Sequence, residues 1–87
     1  MKRHYQGKVA VVTGAASGIG RALSSQLAES GARVWMTDIN EPLLEQSAAA
    51  IAGDVRTRRL DVTDADAFAR AAAEIREQDG HIDLLFN

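Results

Sequence analysis

Eight residues near the start of the chain, Thr13-Gly14-Ala15-Ala16-Ser17-Gly18-Ile19-Gly20, hold three glycines within seven positions. They follow a short apolar run, Val9-Ala10-Val11-Val12, and precede residues at helical spacing. Between a strand and a helix each glycine has a use. Gly14 permits a tight turn out of the strand, Gly18 lets backbone approach a pyrophosphate, and Gly20 lets the helix pack closely on a sheet. A helix that begins here turns free N–H groups and the positive end of its dipole towards a bound anion. Ser17 is placed either to cap that helix or to donate to a phosphate oxygen. The turn is not a P-loop: no Gly-Lys-Ser/Thr follows it, and no lysine can reach a β- or γ-phosphate. Asp38 stands 18 residues after Gly20, at the end of a second apolar run. An acidic side chain there can accept hydrogen bonds from ribose hydroxyls; the alternative is a helix cap shared with Asn40.

The elements that must position these residues alternate along the chain. Val9–Val12 reads as a strand buried on both faces. Ile19, Ala22, Leu23 and Leu27 fall on one side of a helix that stops at Gly31. Val34-Trp35-Met36-Thr37 is a second strand. Leu44, Ala48 and Ile51 mark a second helix, with Pro42 in its first turn and Gly53 after its end. Val55 to Leu60, rich in arginine, is the weakest strand pattern. Thr63 can cap a third helix with Ala65, Phe68, Ala72 and Ile75 on one face; Asp64 and Asp66 suit its positive end, and Gly80 closes it. Ile82 to Phe86 is a fourth strand. The result, β-α-β-α-β-α-β, predicts an α/β fold of the Rossmann type: a doubly wound parallel sheet with helices on both faces. If the first two helices cover one face and the third the other, right-handed crossovers give the strand order 3-2-1-4, with a switch point between strands 1 and 4 where ligands bind.

Composition narrows the classes of function. The 87 residues are 46% hydrophobic and 25% charged, with a net charge of -2. That balance offers neither nucleic acid nor an anionic membrane an electrostatic footing. The tight basic clusters, Lys2-Arg3 and Arg56/Arg58/Arg59, read as solvated surface. There is no cysteine, which excludes disulfides and thiolate chemistry and agrees with a reducing, cytoplasmic setting. Lys2-Arg3-His4 is not followed by the apolar stretch of a signal peptide, and nothing approaches the ~20 apolar residues of a membrane span. His4 and His81 make neither a metal site nor a triad. Trp35 and Phe68 fall on apolar faces and read as core.

Thr-Gly-x-x-x-Gly-x-Gly resembles the cofactor turn of the short-chain dehydrogenase/reductase family, and the similarity runs from about Gly7 to Asn87. Asp61-Val62, after the third strand, is similar to the Asp and apolar residue that line that family's adenine pocket; capping of the third helix competes for Asp61. Ile39 resembles the apolar residue packed on the adenine. Asp83-Leu84-Leu85-Phe86-Asn87 looks like the approach to the Asn-Asn-Ala-Gly motif, with Asn87 as its first residue. The resemblance therefore implies a cofactor-binding set of Gly14, Ser17, Gly18, Ile19, Gly20, Asp38, Ile39, Asp61, Val62 and Asn87, with no metal. It implies NAD in preference to NADP, since Asp38 repels a 2′-phosphate and no basic residue adjoins it. Arg21 and Arg33 are the nearest by sequence and are expected to point elsewhere.

The family's chemistry rests on a Ser and a Tyr-x-x-x-Lys pair. The single tyrosine here, Tyr5, has Val9 where the lysine belongs, so no catalytic residue is assigned. The expectation is that residues 1–87 form the N-terminal part of a single dinucleotide-binding domain, cut before the catalytic segment and inactive alone. The full-length protein would be an NAD-dependent oxidoreductase, a homo-oligomer acting on a small alcohol or carbonyl substrate. The alternatives are a non-catalytic nucleotide-binding fragment and an S-adenosylmethionine-binding methyltransferase of similar fold.

Overall fold

The alternation of apolar runs and amphipathic stretches is realised element by element in the computed structural model, which describes residues 4–87. The order is β1 (Val9–Val12), α1 (Gly18–Glu29), β2 (Arg33–Asp38), α2 (Glu41–Ala49), β3 (Val55–Arg59), α3 (Ala65–Asp79) and β4 (Leu84–Phe86). The four strands form one parallel sheet in the order β3-β2-β1-β4. The α/β class and strand order are those expected. The basic pair Lys2-Arg3 lies outside the described residues.

All four residues of β1 are buried, because the sheet is covered on both faces. Ala10, Val12, Val34 and Met36 point to the α1/α2 side and pack with Leu27, Ala28 and Leu44. Val9, Val11 and Trp35 point the other way and meet Ile75 of α3. Trp35 is core, as its pattern predicts. The α3 side is the more loosely filled: Phe68 and Ala72 are only half-buried, Ala65 is exposed, and a groove of about 300 Å³ runs between α3 and the sheet.

The buried stripe of α1 differs from the expected one. It runs through Ser24, Leu27 and Ala28, with Leu23 partly buried, whereas Ile19 and Ala22 are exposed. Small residues face the sheet at the head of this helix because the backbone approaches so closely there. Ser24 satisfies its buried hydroxyl by donating to the Gly20 carbonyl at 2.8 Å. Ile51 lies just past the end of α2 and still packs against the core.

The cap of α3 is also corrected. Asp64, not Thr63, occupies the N-cap and accepts the Ala67 N–H at 3.1 Å. Gly80, at a φ of 88°, ends the helix in the left-handed conformation that glycine favours.

The arginine-rich stretch does form a strand, shorter by Leu60 than expected, and its place explains its composition. β3 is an edge strand, where charged side chains discourage pairing with other chains. Two of its arginines are not simply solvated. Arg56 and Arg58 are half-buried and pair with Asp54 and Glu74, at 3.5 and 2.6 Å; Arg59 is exposed.

Candidate functional site

At the carboxyl end of β1 the chain is held by its neighbours on both sides. Thr13 donates its N–H to the Phe86 carbonyl at 2.9 Å and its hydroxyl to Asn87 Oδ1 at 2.8 Å, tying β1 to the end of β4. Gly14 then turns the chain at a φ of 64°, as the tight turn requires. Ala15 and Ala16 are buried, and β2 and α2 satisfy their polar groups. Ala15 N–H donates to the Thr37 carbonyl at 3.0 Å, and Ala16 N–H to Asp38 Oδ2 at 3.0 Å. The Ala16 carbonyl accepts from the Ser47 hydroxyl at 2.5 Å. Thr37, fully buried, returns its own hydroxyl to the Val12 carbonyl at 3.0 Å.

The glycines that follow play different parts. Gly18, at a φ of 60°, has open space where a side chain would be. Gly20 has none: a Cβ there would lie 2.2 Å from the Gly14 carbonyl oxygen. Its closeness is therefore to the turn itself, not to the sheet in general. Ser17 sits at the N-cap in an extended conformation, but its side chain makes no cap hydrogen bond. Of its two expected uses, capping is not made and the exposed hydroxyl stays available. Ser17 N–H finds no acceptor among the described residues. The first N–H groups of α1, from Gly18 to Gly20, have no carbonyl one turn back within the helix. Ile19 is 87% exposed beside them.

Asp38 ends β2, Asp61 lies two residues past the end of the adjacent β3, and both line one cleft. The cleft, of about 320 Å³, is lined by Gly14, Asp38, Ile39, Leu60, Asp61, Val62 and Thr63. Ile39 and Val62 give it apolar walls while remaining 53% and 47% exposed. Asp38 does not cap α2. Asn40 caps it alone, accepting from Leu43 N–H, and Asp38 Oδ1 instead accepts the Asn40 N–H at 3.0 Å. Asp61 does not cap α3 either, that place being taken by Asp64. Its Oδ1 accepts both the hydroxyl and the N–H of Thr63, at 2.6 and 2.9 Å, which hold its carboxyl below the ordinary carboxylate range. Its other oxygen has no protein donor among the described residues.

The expected site residues thus fall into three neighbouring groups. Gly14, Asp38, Ile39, Asp61 and Val62 share the cleft, Ser17 to Gly20 form the head of α1, and Asn87 stands beside Thr13 at the end of β4. Arg33 lies at the far end of β2 from Asp38, held by Asp54 and Asp79. Arg21 is exposed on α1 and makes no ion pair among the described residues. Tyr5, hydrogen-bonded through its N–H to Ser30 at the end of α1, is also at the opposite end of the sheet. His4 and His81 are both exposed, and no cluster of metal-ligating side chains occurs among the described residues. No helix there is long and apolar enough to cross a membrane.

Sequence reasoning placed Thr13 in the glycine turn without giving it a role, and missed Thr37 and Ser47. Each uses a hydroxyl on a main-chain or side-chain acceptor brought close only by the fold. Ser47, in the run Ser-Ala-Ala-Ala, reads as an unremarked helix residue.

The arrangement can offer hydrogen bonds to an anion at the head of α1 and to hydroxyl or amine donors in the cleft. Backbone is open over Gly18, the Ser17 N–H has no partner among the described residues, and two carboxylates line an apolar-walled cleft. Comparison with known proteins agrees in class. The family model for short chain dehydrogenases matches residues 8–87, and the chain belongs to that family of oxidoreductases. It is 45% identical over 84 residues to the D-threitol dehydrogenase of Mycolicibacterium smegmatis, covering 93% of this chain and 32% of the relative. It is 42% identical over 81 residues to the sorbitol dehydrogenase of Cereibacter sphaeroides, covering 93% and 32%. Among solved structures, the citronellol catabolism dehydrogenase of Pseudomonas aeruginosa PAO1 superposes with a TM-score of 0.93 at 31% identity, covering 98% of this chain and 37% of that one. The chain spans about a third of the length of the curated relatives it matches. The methyltransferase alternative falls with the family assignment.

Proposed function

We propose that this chain is the N-terminal part of a single dinucleotide-binding domain and holds the ADP-ribose half of NAD(H) in a short-chain dehydrogenase/reductase. The observation that carries the reading is the shared cleft, which Gly14, Asp38 and Asp61 line together. Asp38 accepts hydrogen bonds from the adenosine ribose hydroxyls. Ile39 and Val62 enclose the adenine, and the free oxygen of Asp61 accepts from its exocyclic amine. Gly14, Ser17, Gly18, Ile19 and Gly20 present backbone N–H groups and the Ser17 hydroxyl to the pyrophosphate. Asn87 borders the cofactor from the end of β4. The nicotinamide, when bound, supplies the hydride acceptor or donor for a small alcohol or carbonyl compound. These 87 residues hold no Tyr-x-x-x-Lys, so by themselves they are expected to carry out no hydride transfer.

Asp38 favours NAD over NADP, because a 2′-phosphate would meet its carboxylate; the exposed Arg59, its register partner on β3, is the basic residue beside it in the sheet. Arg33 is engaged at the other end of the strand. The test is calorimetric titration of the full-length enzyme with NAD, NADP and S-adenosylmethionine. Binding of NAD tighter than NADP, with none of the sulfonium cofactor, supports the reading. Preference for NADP, or no dinucleotide binding, overturns it.

A further inference from the structure

The peptide between Ala16 and Ser17 is fixed from behind by a residue that cannot itself touch a ligand in the cleft. Ser47 is buried on α2, 4% exposed, and its hydroxyl donates to the Ala16 carbonyl at 2.5 Å. A peptide unit is planar and trans, so its carbonyl and its N–H point in opposite directions. A carbonyl drawn inward to Ser47 therefore sends the Ser17 N–H outward. That N–H has no acceptor among the described residues, and it immediately precedes the first free N–H groups of α1.

The preceding peptide is held as well, by Ala16 N–H on Asp38 Oδ2 at 3.0 Å. The Asp38 bond alone leaves the next peptide free to rotate about the Ala16 backbone dihedral ψ. The Ser47 bond removes that freedom. Without it, the Ala16 carbonyl has no other donor among the described residues and must seek one by turning towards solvent, which swings the Ser17 N–H inward. A group whose direction is set before an anion arrives contributes its hydrogen bond without reorganisation.

We propose that Ser47 is a positioning residue of the pyrophosphate site, aiming the Ser17 N–H through the Ala16 carbonyl. This rests on the dinucleotide reading above. It assigns a binding role to a buried α2 side chain that is not among the residues lining the cleft.

The experiment compares Ser47→Ala with the wild type in the full-length enzyme, using two probes. ADP-ribose contains the pyrophosphate, and adenosine contains only the groups bound by the cleft. The ratio of the two affinities is the readout, since partial unfolding lowers both alike and cancels. The expected result is a loss of about tenfold for ADP-ribose, the scale of a hydrogen bond to a charged group, with adenosine changed less than twofold. Equal losses for both probes, or unchanged affinity for both, overturn the positioning role. Wild-type enzyme that binds neither probe overturns the dinucleotide reading itself, and the positioning role with it.

Discussion

Gly20 lies so close to Gly14 that a Cβ on the first would stand 2.2 Å from the carbonyl oxygen of the second and 2.8 Å from its carbonyl carbon. Both obstacles are backbone, so neither can swing aside as a side chain would. The turn must open for any other residue to fit. Gly20→Ala is expected to cost about 3 kcal/mol of stability in the full-length enzyme, the upper range of an overpacked site.

Gly18 offers the opposite case. A Cβ there meets nothing within 4 Å, but its φ is 60°. Valine would bear roughly 1–2 kcal/mol of left-handed strain, and its branches would fill the space a pyrophosphate needs. Gly18→Val should keep the fold and lose dinucleotide binding. Denaturant midpoints and calorimetry on the two variants separate the roles: a Gly20 variant as stable as wild type, or a Gly18 variant that binds normally, contradicts this division.

Asp38 joins the ribose end of the proposed site to its phosphate end, because the same carboxylate holds the Ala16 N–H. Asp38→Ala should therefore do two things. It should narrow the preference for NAD over NADP, and it should weaken binding of both, since the turn loses a tether worth about 1 kcal/mol. Affinities for the two cofactors, measured side by side, check this. An unchanged ratio would remove Asp38 from specificity.

Asp79 is the one carboxylate whose side chain is almost wholly buried, 1% exposed, among the ion pairs of the described residues. Burial opposes its ionisation. The Trp35 Nε1–H at 2.6 Å and Arg33 at 2.7 Å outweigh that and hold its carboxyl below the ordinary carboxylate value. A carboxyl more acidic in the folded than in the unfolded state binds fewer protons when folded. Its contribution is therefore fully present above the unfolded value, about pH 4, and is lost as pH falls through the lower folded value. Asp79→Ala should cost about 2–3 kcal/mol near neutrality by leaving the buried indole N–H unpaired. It should also flatten the acid limb of the stability curve. Thermal melts of both proteins between pH 3 and pH 7, all on the order of ordinary carboxylate titration, test it; parallel curves would count against it.

β4 pairs with β1 on one side only, and its other side is a free edge. Leu85 on that strand is 53% exposed and helps line the apolar groove beside α3. Unpaired strand groups next to wet apolar surface invite another chain. The 87-residue chain by itself is therefore expected to self-associate or to show poor dispersion in an NMR spectrum. Sedimentation velocity of a monodisperse monomer, with cooperative unfolding, would show that the segment is self-sufficient.

Much of this protein is written locally. The continuous apolar run of β1, the helical spacing around Leu27 and Leu44, and glycines at the ends of helices all act within one turn or one strand. They determine the element order, and with α1 and α2 on one face and α3 on the other the right-handed crossover rule converts that order into 3-2-1-4. Asp38 was legible because it ends an apolar strand, whereas the strand before Asp61 is arginine-rich and Asp61 stood out only through the family resemblance. Even at short range, neighbouring candidates compete: Thr63 and Asp64 both suit the α3 cap, and the choice of Asp64 leaves Thr63 to bind Asp61.

What only the tertiary structure decided is the pairing of groups distant in sequence. Ser47 and Ala16 are 31 residues apart, and Trp35 and Asp79 are 44 apart. Sequence determines that such side chains are polar; it takes the packing of α2 on the turn, and of α3 on β2, to determine what they satisfy. Hydrogen bonds act over about 3 Å, whereas residue types along a chain report only the company each residue keeps locally.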